Sequence, residues 1–145
     1  MLKVNFYNSV DDTLLKGAVI VSKYNYQWVF CKHKERNTYE CPGGHREKGE
    51  KIEDTAKREL WEETGAKAFK LVPICVYSVC ENDGVVDNSK ETFVMLFYAQ
   101  IYSFDDLPPF EIERIEFFDC FPENWTYPEI QPKLFQKVND SIFAE

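Results

Sequence analysis

The sequence predicts an α/β fold in which a mixed β-sheet packs against helices. Short apolar segments typical of strands recur along the chain, a segment at about 52–64 lacks Gly and Pro and is rich in helix formers, and the chain ends in an amphipathic pattern. Strands and helices in this order favour a sheet covered by helices, with no parallel βαβ repetition. The chain has 145 residues and no Pro- or Gly-rich linker, so we expect one domain over residues 1–145.

The individual elements follow from local composition. Residues 17–22 and 27–33 are predicted strands around a turn, and 38–44 carries a short strand into a Pro-Gly-Gly loop. The helix at 52–64 is expected to end at Gly65, because glycine favours the conformation that terminates helices. Apolar strands follow at 70–80 and 91–102, then a loop at 104–109 and a last strand at 113–120. The spacing from Ile130 to Val138 predicts a C-terminal amphipathic helix.

The chain is acidic, with a formal net charge of −8 and a sequence pI near 4.9. Proteins that grip polymeric nucleic acid through its phosphates are usually basic, so this class is disfavoured. A single nucleotide bound through a bridging cation remains compatible with the charge. The longest apolar run, 93–99, is too short to span a membrane, and the N-terminal segment lacks the apolar core of a signal peptide, so we expect no membrane association.

Cysteine usage indicates a reducing compartment. The five cysteines are odd in number and lack CxxC spacing, which argues against a complete disulfide framework and against a CxxC-type zinc site. We interpret them as free thiols that behave as small hydrophobic residues, and we expect the protein to be cytoplasmic. They are Cys31, Cys41, Cys75, Cys80 and Cys120.

Three glutamates are crowded into the stretch RELWEETG at 58–65. A helix turns by roughly 100° per residue, which places Glu59 and Glu63 beside the apolar, core-facing stripe. Glu62 lies one step further round, next to Arg58. Carboxylates four residues apart repel by roughly 0.2–0.5 kcal/mol, and partial burial increases that cost. A divalent cation would remove the conflict, and oxygen ligands suit Mg²⁺ or Mn²⁺. The alternative is a charged helix edge neutralised by neighbouring basic residues.

The segment CPGGHREKGE, before the helix, supplies half of the glycines in the chain. Glycine permits positive φ angles and close approach of the backbone to a ligand, which favours a binding loop. An ordinary strand-to-helix turn is the alternative. The segment is not a Walker loop, because no GK[ST] follows, and it lacks the G-x-G-x-x-G of dinucleotide-binding folds.

From Gly44 to Ala66 the sequence GHREKGEKIEDTAKRELWEETGA resembles the signature of the Nudix hydrolase family, G-x5-E-x7-R-E-U-x-E-E-x-G-U, where U is a bulky apolar residue. Only Ala66 departs from it, being apolar but small. The motif covers about a sixth of the chain, and the order of strands around it agrees with the family fold. The matching residues are Gly44, Glu50, Arg58, Glu59, Leu60, Glu62, Glu63 and Gly65.

The resemblance implies an α/β/α sandwich and a Mg²⁺- or Mn²⁺-dependent hydrolase of nucleoside diphosphates linked to another group. The metal ligands of the family correspond to Glu59 and Glu63, with Glu62 alongside, and the carbonyl of Gly43 is a further candidate ligand. Such a cation neutralises the diphosphate and lowers the pKa of a bound water. Glu59 or Glu62 is then expected to accept the proton from that water.

The resemblance implies supporting roles for other residues. Glu50 is expected to help directly or through water, and Arg58 to orient the glutamates by ion pairing. Many members use one more acid from a later loop, for which the chain offers Glu111, whose position matches the family better, and Glu113; a solvated loop acid is the alternative for each.

The loop before the helix is the candidate contact for substrate phosphates. Gly43 and Gly44 could approach them closely, and His45 follows directly. For His45 the alternative is a simple polar loop residue.

The substrate is less defined. Base recognition requires stacking aromatics and a few polar groups, although each aromatic could equally belong to the core. Asn82, Asp83 and Asn88 could contact a base edge from a surface loop. The aromatic candidates are Tyr24, Tyr26, Trp28, Trp125 and Tyr127.

Residues 78–86 lack the proline of ADP-ribose hydrolases and the tyrosine of dinucleoside polyphosphate hydrolases, so the chain looks most like the compact MutT-like nucleoside triphosphate pyrophosphohydrolases. Several of these act on oxidised guanine nucleotides. We therefore expect a small-molecule nucleotide substrate and release of a nucleoside monophosphate and pyrophosphate. The alternatives are an RNA 5′-pyrophosphohydrolase and a non-catalytic nucleotide-sensing module, which usually lacks some of these acids. The oligomeric state is not predicted.

Overall fold

The computed structural model describes residues 2–81 and 91–143. The three candidate base-contacting residues Asn82, Asp83 and Asn88 lie outside this part of the chain. The strands and α-helices of the described residues are β1 (Leu2–Tyr7), β2 (Leu15–Tyr24), β3 (Gln27–His33), β4 (Tyr39–Glu40), β5 (Gly43–His45), α1 (Ile52–Thr64), β6 (Ala66–Glu81), β7 (Thr92–Phe104), β8 (Ile112–Phe118) and α2 (Gln131–Val138). A short 3-10 helix (Asp12–Leu14) precedes β2, and a π-helical turn (Asn139–Phe143) follows α2.

The strands of the described residues form one mixed sheet in the order β1-β6-β7-β2-β3-β4, with β5 paired to β2 and β8 paired to β3. β2 and β7 run parallel, whereas β6 and β7 run antiparallel. This confirms the mixed sheet predicted from the sequence. The strand β5 is short but important, because it places Gly43 and Gly44 beside β2.

The two helices cover opposite faces of the sheet. Side chains alternate along a strand, so neighbouring residues of β2 enter different cores. Ile20 packs with Leu60 of α1, and Val21 packs with Leu134 of α2. The α/β/α sandwich implied by the family resemblance is therefore confirmed.

The bounds predicted for α1 are confirmed at both ends. Gly65 ends the helix in the left-handed conformation, with φ +77°, and its N–H donates to the carbonyl of Trp61. A Cβ atom at this position would lie 2.7 Å from the carbonyl oxygen of Asp105. Glycine is therefore required both by the positive φ angle and by the lack of space for a side chain.

Several strand predictions need correction. The strand β1 was not predicted, because its residues show only partial burial and weak alternation. The strands β2, β6 and β7 are longer than their apolar segments, and β8 ends at Phe118 rather than at residue 120. In β2, β6 and β7, sheet pairing extends the strand beyond the residues whose own preference indicated it.

All five cysteines are free thiols, and three of them are buried, namely Cys31, Cys41 and Cys75. Within residues 2–81 and 91–143, the structure contains no helix with the length and apolar character needed to cross a membrane.

Candidate active site

Arg58 binds three glutamates through one guanidinium group. Its Nε and Nη2 donate to the two oxygens of Glu50 at 2.8 and 3.0 Å, and its Nη1 donates to Glu59 at 2.7 Å and to Glu62 at 3.1 Å. Nη2 also donates to the carbonyl of His45 at 3.0 Å. The planar fork of arginine suits this arrangement, because it fixes several acceptors at once. The arginine therefore orients the acids of α1 and attaches them to the preceding loop.

Both carboxylate oxygens of Glu50 accept hydrogen bonds. Besides Arg58, it accepts hydrogen bonds from the backbone N–H of Glu47 at 3.0 Å and from the hydroxyl of Thr55 at 2.7 Å. These contacts, those from Arg58 above all, lower the pKa of Glu50 to about 2. Glu50 is therefore ionised at neutral pH and holds Arg58 in place.

Glu63 has a different environment. Its Oε1 accepts a hydrogen bond from the backbone N–H of Gly43 at 2.8 Å. Burial raises the pKa of Glu63 to about 8, with further upward contributions from the nearby acids Glu59, Glu40 and Glu111. Burial also raises the pKa of Glu59, although the hydrogen bond from Arg58 opposes it. Without a bound cation, Glu63 therefore keeps its proton at neutral pH.

The glycines of β5 allow the backbone to approach these acids. A Cβ atom on Gly44 would lie 2.5 Å from the carboxyl carbon of Glu59. A Cβ atom on Gly43 would lie 2.6 Å from the carbonyl oxygen of Ala18. A larger residue in place of Gly44 would displace the carboxyl group of Glu59. A larger residue in place of Gly43 would push β5 away from β2.

The acids border a cavity of about 250 Å³, which we call the acidic cavity. It is lined by Glu59, Glu62, Glu63, Phe110 and Glu111. The donors fit Mg²⁺ or Mn²⁺, since all are carboxylate oxygens and two of them have pKa values raised by burial. Among the described residues, however, no three His, Cys, Asp or Glu side chains form a ready metal cluster. Arg58 and Gly43 donate to one oxygen of each of the α1 glutamates in this cavity, and among the described residues no donor contacts the second oxygen.

The two candidate acids from the later loop, Glu111 and Glu113, have different surroundings. Glu111 lines the acidic cavity and lies 3.7 Å from Nε2 of His33. Glu113 pairs with Lys32 at 3.3 Å and with Arg114. The sequence left the choice open, and the placement favours Glu111 as the additional acid.

The aromatic candidates have diverse surroundings. Trp28 is buried and Trp125 packs within the same aromatic cluster on the α2 face. Tyr24 contacts the ring of Phe104. Tyr26 is 94% exposed in the turn between β2 and β3. Tyr127 alone among these five lines a cavity that also borders Gly43 and Gly44.

That second cavity, which we call the tyrosine cavity, has a volume of about 220 Å³. Its walls come from β2, from the β4–β5 segment, from β6 and from the start of α2. No motif in the sequence singles out Tyr77 or Gln131, because both take part in the cavity only through packing between distant segments. Gln131, for instance, accepts a hydrogen bond from the backbone N–H of Cys41, 90 positions away. The lining residues are Val19, Glu40, Cys41, Gly43, Gly44, Tyr77, Tyr127, Ile130 and Gln131.

Comparison with known sequences agrees with the motif. The NUDIX domain model matches residues 15–140. A Bacillus subtilis protein named "Putative 8-oxo-dGTP diphosphatase YtkD" is 29% identical over 110 residues, which cover 75% of this chain and 65% of that protein. An ADP-ribose pyrophosphatase of the same organism is 52% identical over 62 residues, which cover 43% of this chain and 31% of that enzyme. The chain thus spans less than two thirds of the length of either relative.

Solved structures show the same fold. The Bacillus subtilis pyrophosphohydrolase BsRppH superposes with a TM-score of 0.77 at 23% identity, covering 98% of this chain and 93% of that one. A UDP-X diphosphatase superposes with a TM-score of 0.70 at 20% identity, covering 92% of this chain and 64% of that one. At these identities the likeness concerns the arrangement of strands and helices alone.

Proposed function

The chain belongs to the Nudix hydrolase family, and from this premise we propose that it cleaves a nucleoside triphosphate into a nucleoside monophosphate and pyrophosphate with Mg²⁺ or Mn²⁺. The acidic cavity carries the proposal, because Arg58 there orients Glu59 and Glu62 beside the half-buried Glu63. The YtkD relative, whose name includes 8-oxo-dGTP, supports a purine triphosphate, with oxidised guanine nucleotides among the candidates.

We assign the metal-binding role to Glu59 and Glu63, with Glu62, Glu111 and the carbonyl of Gly43 as further oxygen donors. When bound, the cation neutralises charge on the diphosphate and makes the attacking water more acidic.

The remaining steps depend on residues of the chain. A carboxylate of Glu59 or Glu62 accepts the proton as the water oxygen bonds to phosphorus and the bond to the bridging oxygen breaks. Arg58 keeps these carboxylates oriented, and the ionised Glu50 keeps Arg58 in position. Gly43, Gly44 and His45 border the route by which the phosphates would enter.

A substrate panel tests this proposal. The purified protein is incubated with Mg²⁺ and dGTP, 8-oxo-dGTP, dATP, ADP-ribose, a dinucleoside polyphosphate or a 5′-triphosphorylated RNA, and products are separated by ion-exchange chromatography. We expect nucleoside monophosphate and pyrophosphate from a free triphosphate, and no turnover after metal chelation. Release of orthophosphate instead of pyrophosphate would contradict the assigned cleavage position.

The same panel separates the alternatives. Cleavage of the triphosphorylated RNA without cleavage of free triphosphates would identify an RNA 5′-pyrophosphohydrolase. Cleavage of ADP-ribose alone would instead indicate the activity named for the second relative, the ADP-ribose pyrophosphatase that is 52% identical over 62 residues. Tight binding of a nucleotide without any turnover would indicate a sensing module.

A further inference from the structure

His33 is the last residue of β3, and a backbone contact fixes the orientation of its ring. The backbone N–H of Glu35 donates to Nδ1 of His33 at 3.1 Å. A backbone N–H can only donate, so Nδ1 is the acceptor nitrogen and carries no proton. In the neutral ring the proton is therefore on Nε2, which is the nitrogen that can donate to a second group. The side chain of His33 is only 15% exposed, which limits its alternative orientations.

The group next to Nε2 is the carboxylate of Glu111. Its Oε2 lies 3.7 Å from Nε2 of His33, which is longer than a hydrogen bond but within the range of an ion pair. Hydrogen bonds at reaction centres are often long in the free protein and shorten when substrate is bound. Among the described residues, His33 is the one basic side chain in ion-pair range of Glu111.

A shift in strand register moves Glu111 toward His33. The pairing of β3 with β8 shifts by one residue just before His33, which pairs with Ile112. Uninterrupted pairing would place Glu111 opposite position 35, whereas its carbonyl accepts a hydrogen bond from the backbone N–H of Lys34 at 3.0 Å. Irregularities of this kind redirect side chains and are frequent beside active sites.

The carboxylate of Glu111 needs a contact of this kind to stay at the acidic cavity. Its side chain is 76% exposed, and a long exposed side chain loses conformational entropy when one orientation is selected. It lines the acidic cavity together with the three glutamates of α1, and its charge contributes to the raised pKa values of Glu59 and Glu63. Repulsion from these acids favours orientations that turn away from the cavity. A fixed N–H donor within reach opposes that repulsion.

From this geometry we propose that His33 is a positioning residue, which donates from Nε2 to Glu111 and holds that carboxylate at the acidic cavity. The inference rests on the proposed function and adds how one of its oxygen donors is oriented. A hydrogen bond from an N–H group to a carboxylate is roughly twice as strong as one between neutral groups. Because His33 acts through Glu111, its loss should matter only while residue 111 is a carboxylate.

Two substitutions separate the two nitrogens of His33. In His33→Gln the amide group reaches the position of Nε2 and can donate to Glu111, whereas in His33→Asn it reaches only the position of Nδ1 and can accept from the N–H of Glu35. We expect kcat to fall about 3- to 10-fold in His33→Asn, the scale of one hydrogen bond, and to stay within about twofold of the wild type in His33→Gln. The control Lys34→Gln, at the exposed next position, should behave as the wild type.

A double-mutant cycle shows whether His33 acts through Glu111. In the Glu111→Gln background, His33→Asn should change kcat by less than about twofold, because the carboxylate that His33 positions is absent. A purely structural role of His33 would give the same loss in both backgrounds, and that result would overturn the inference. A loss in His33→Gln as large as that in His33→Asn would overturn it as well.

A measurement on the metal-free protein separates this inference from the proposed function. The chain has two histidines, so proton–nitrogen correlation spectra contain two imidazole patterns, and the variant His45→Gln assigns them. At about pH 8 the ring of His33 should carry its proton on Nε2. Glu111→Gln should shift the ring signals of His33, whereas Glu113→Gln should not.

A proton on Nδ1 of His33, or ring signals that Glu111→Gln leaves unchanged, would overturn the inference even in an active enzyme. Absence of turnover with every substrate would overturn the proposed function, while the spectra would still test the contact between His33 and Glu111.

Discussion

The two cavities on either side of Gly43 and Gly44 are built in different ways. Four of the five residues of the acidic cavity are glutamates, and three of these come from five consecutive positions of α1. The tyrosine cavity is mainly apolar and collects residues from the 40s, from Tyr77 and from the segment at 127–131. Local sequence therefore brings the acids of the first cavity together, whereas tertiary packing assembles the second. Variants of the acidic cavity should then change turnover of all substrates alike.

The largest effect is expected for Glu63→Gln. The substitution keeps the shape of the side chain and the acceptor for Gly43 but removes a carboxylate that would bind the cation. We expect kcat to fall by about 10²–10³-fold, the usual scale for removing one electrostatic contact at a reaction centre. The ratio of dGTP to dATP turnover should stay at its wild-type value. Steady-state kinetics measure both quantities.

A matched control for this variant is Glu53→Gln, at an exposed position in the first turn of α1. It should retain wild-type kcat, and circular dichroism should show that both variants are folded. Wild-type activity of Glu63→Gln would contradict the assigned role of the acidic cavity.

The second prediction concerns protons and metal at Glu63. Its pKa of about 8 in the folded protein exceeds the ordinary 4.5, so the folded protein keeps a proton that the unfolded chain loses. The metal-free protein should therefore lose stability as the pH rises from about 4.5 to about 8. A cation requires the carboxylate form, and its affinity should increase roughly 50-fold between pH 6 and pH 8.

Calorimetric titration with Mg²⁺ at the two pH values measures the change in affinity, and urea unfolding of the metal-free protein measures the change in stability. The Glu63→Gln variant should show a much weaker pH dependence in both. Equal Mg²⁺ affinity at pH 6 and pH 8 in the wild type would show that no proton leaves on binding.

The acidic cavity could be inferred from sequence because its spacing is local. A helix ending at Gly65 fixes the directions of residues 59, 62 and 63, and the structure places Glu59 with a side chain only 14% exposed and Trp61 at the surface. The burial of Gln131 could not be inferred, since it depends on a hydrogen bond to Cys41 and on the packing of α2 against the sheet. The strand β1 was missed for a similar reason, because its pairing partners in β6 lie 69 (Tyr7 to Val76) to 79 (Leu2 to Glu81) positions later.

The third prediction is a smaller loss of activity in Arg58→Lys. Lysine keeps the positive charge but cannot bind Glu50, Glu59 and Glu62 together through a planar fork. We expect kcat to fall roughly 30-fold, within the range seen when groups that orient metal ligands are changed. Base preference should not change, whereas Mg²⁺ affinity should weaken. Lys57→Arg, at the exposed preceding position, is the control and should behave as the wild type.

The fourth prediction distinguishes the two loop acids. Glu111→Gln removes a carboxylate from the acidic cavity and should lower kcat about tenfold, equivalent to about 1.4 kcal/mol of barrier. Glu113→Gln removes a partner of Lys32 outside the cavity and should leave kcat within about twofold of the wild type. A larger loss in Glu113→Gln than in Glu111→Gln would reverse the assignment.

The smallest effect is expected in the tyrosine cavity. Tyr127→Leu keeps an apolar wall but removes an aromatic face, and stacking of this kind contributes about 0.5–1.5 kcal/mol. We expect KM for purine triphosphates to rise about 2- to 12-fold with kcat nearly unchanged. A fall in kcat with constant KM would instead show that Tyr127 affects the hydrolytic step. It would contradict the assignment of binding to the tyrosine cavity and of hydrolysis to the acidic cavity.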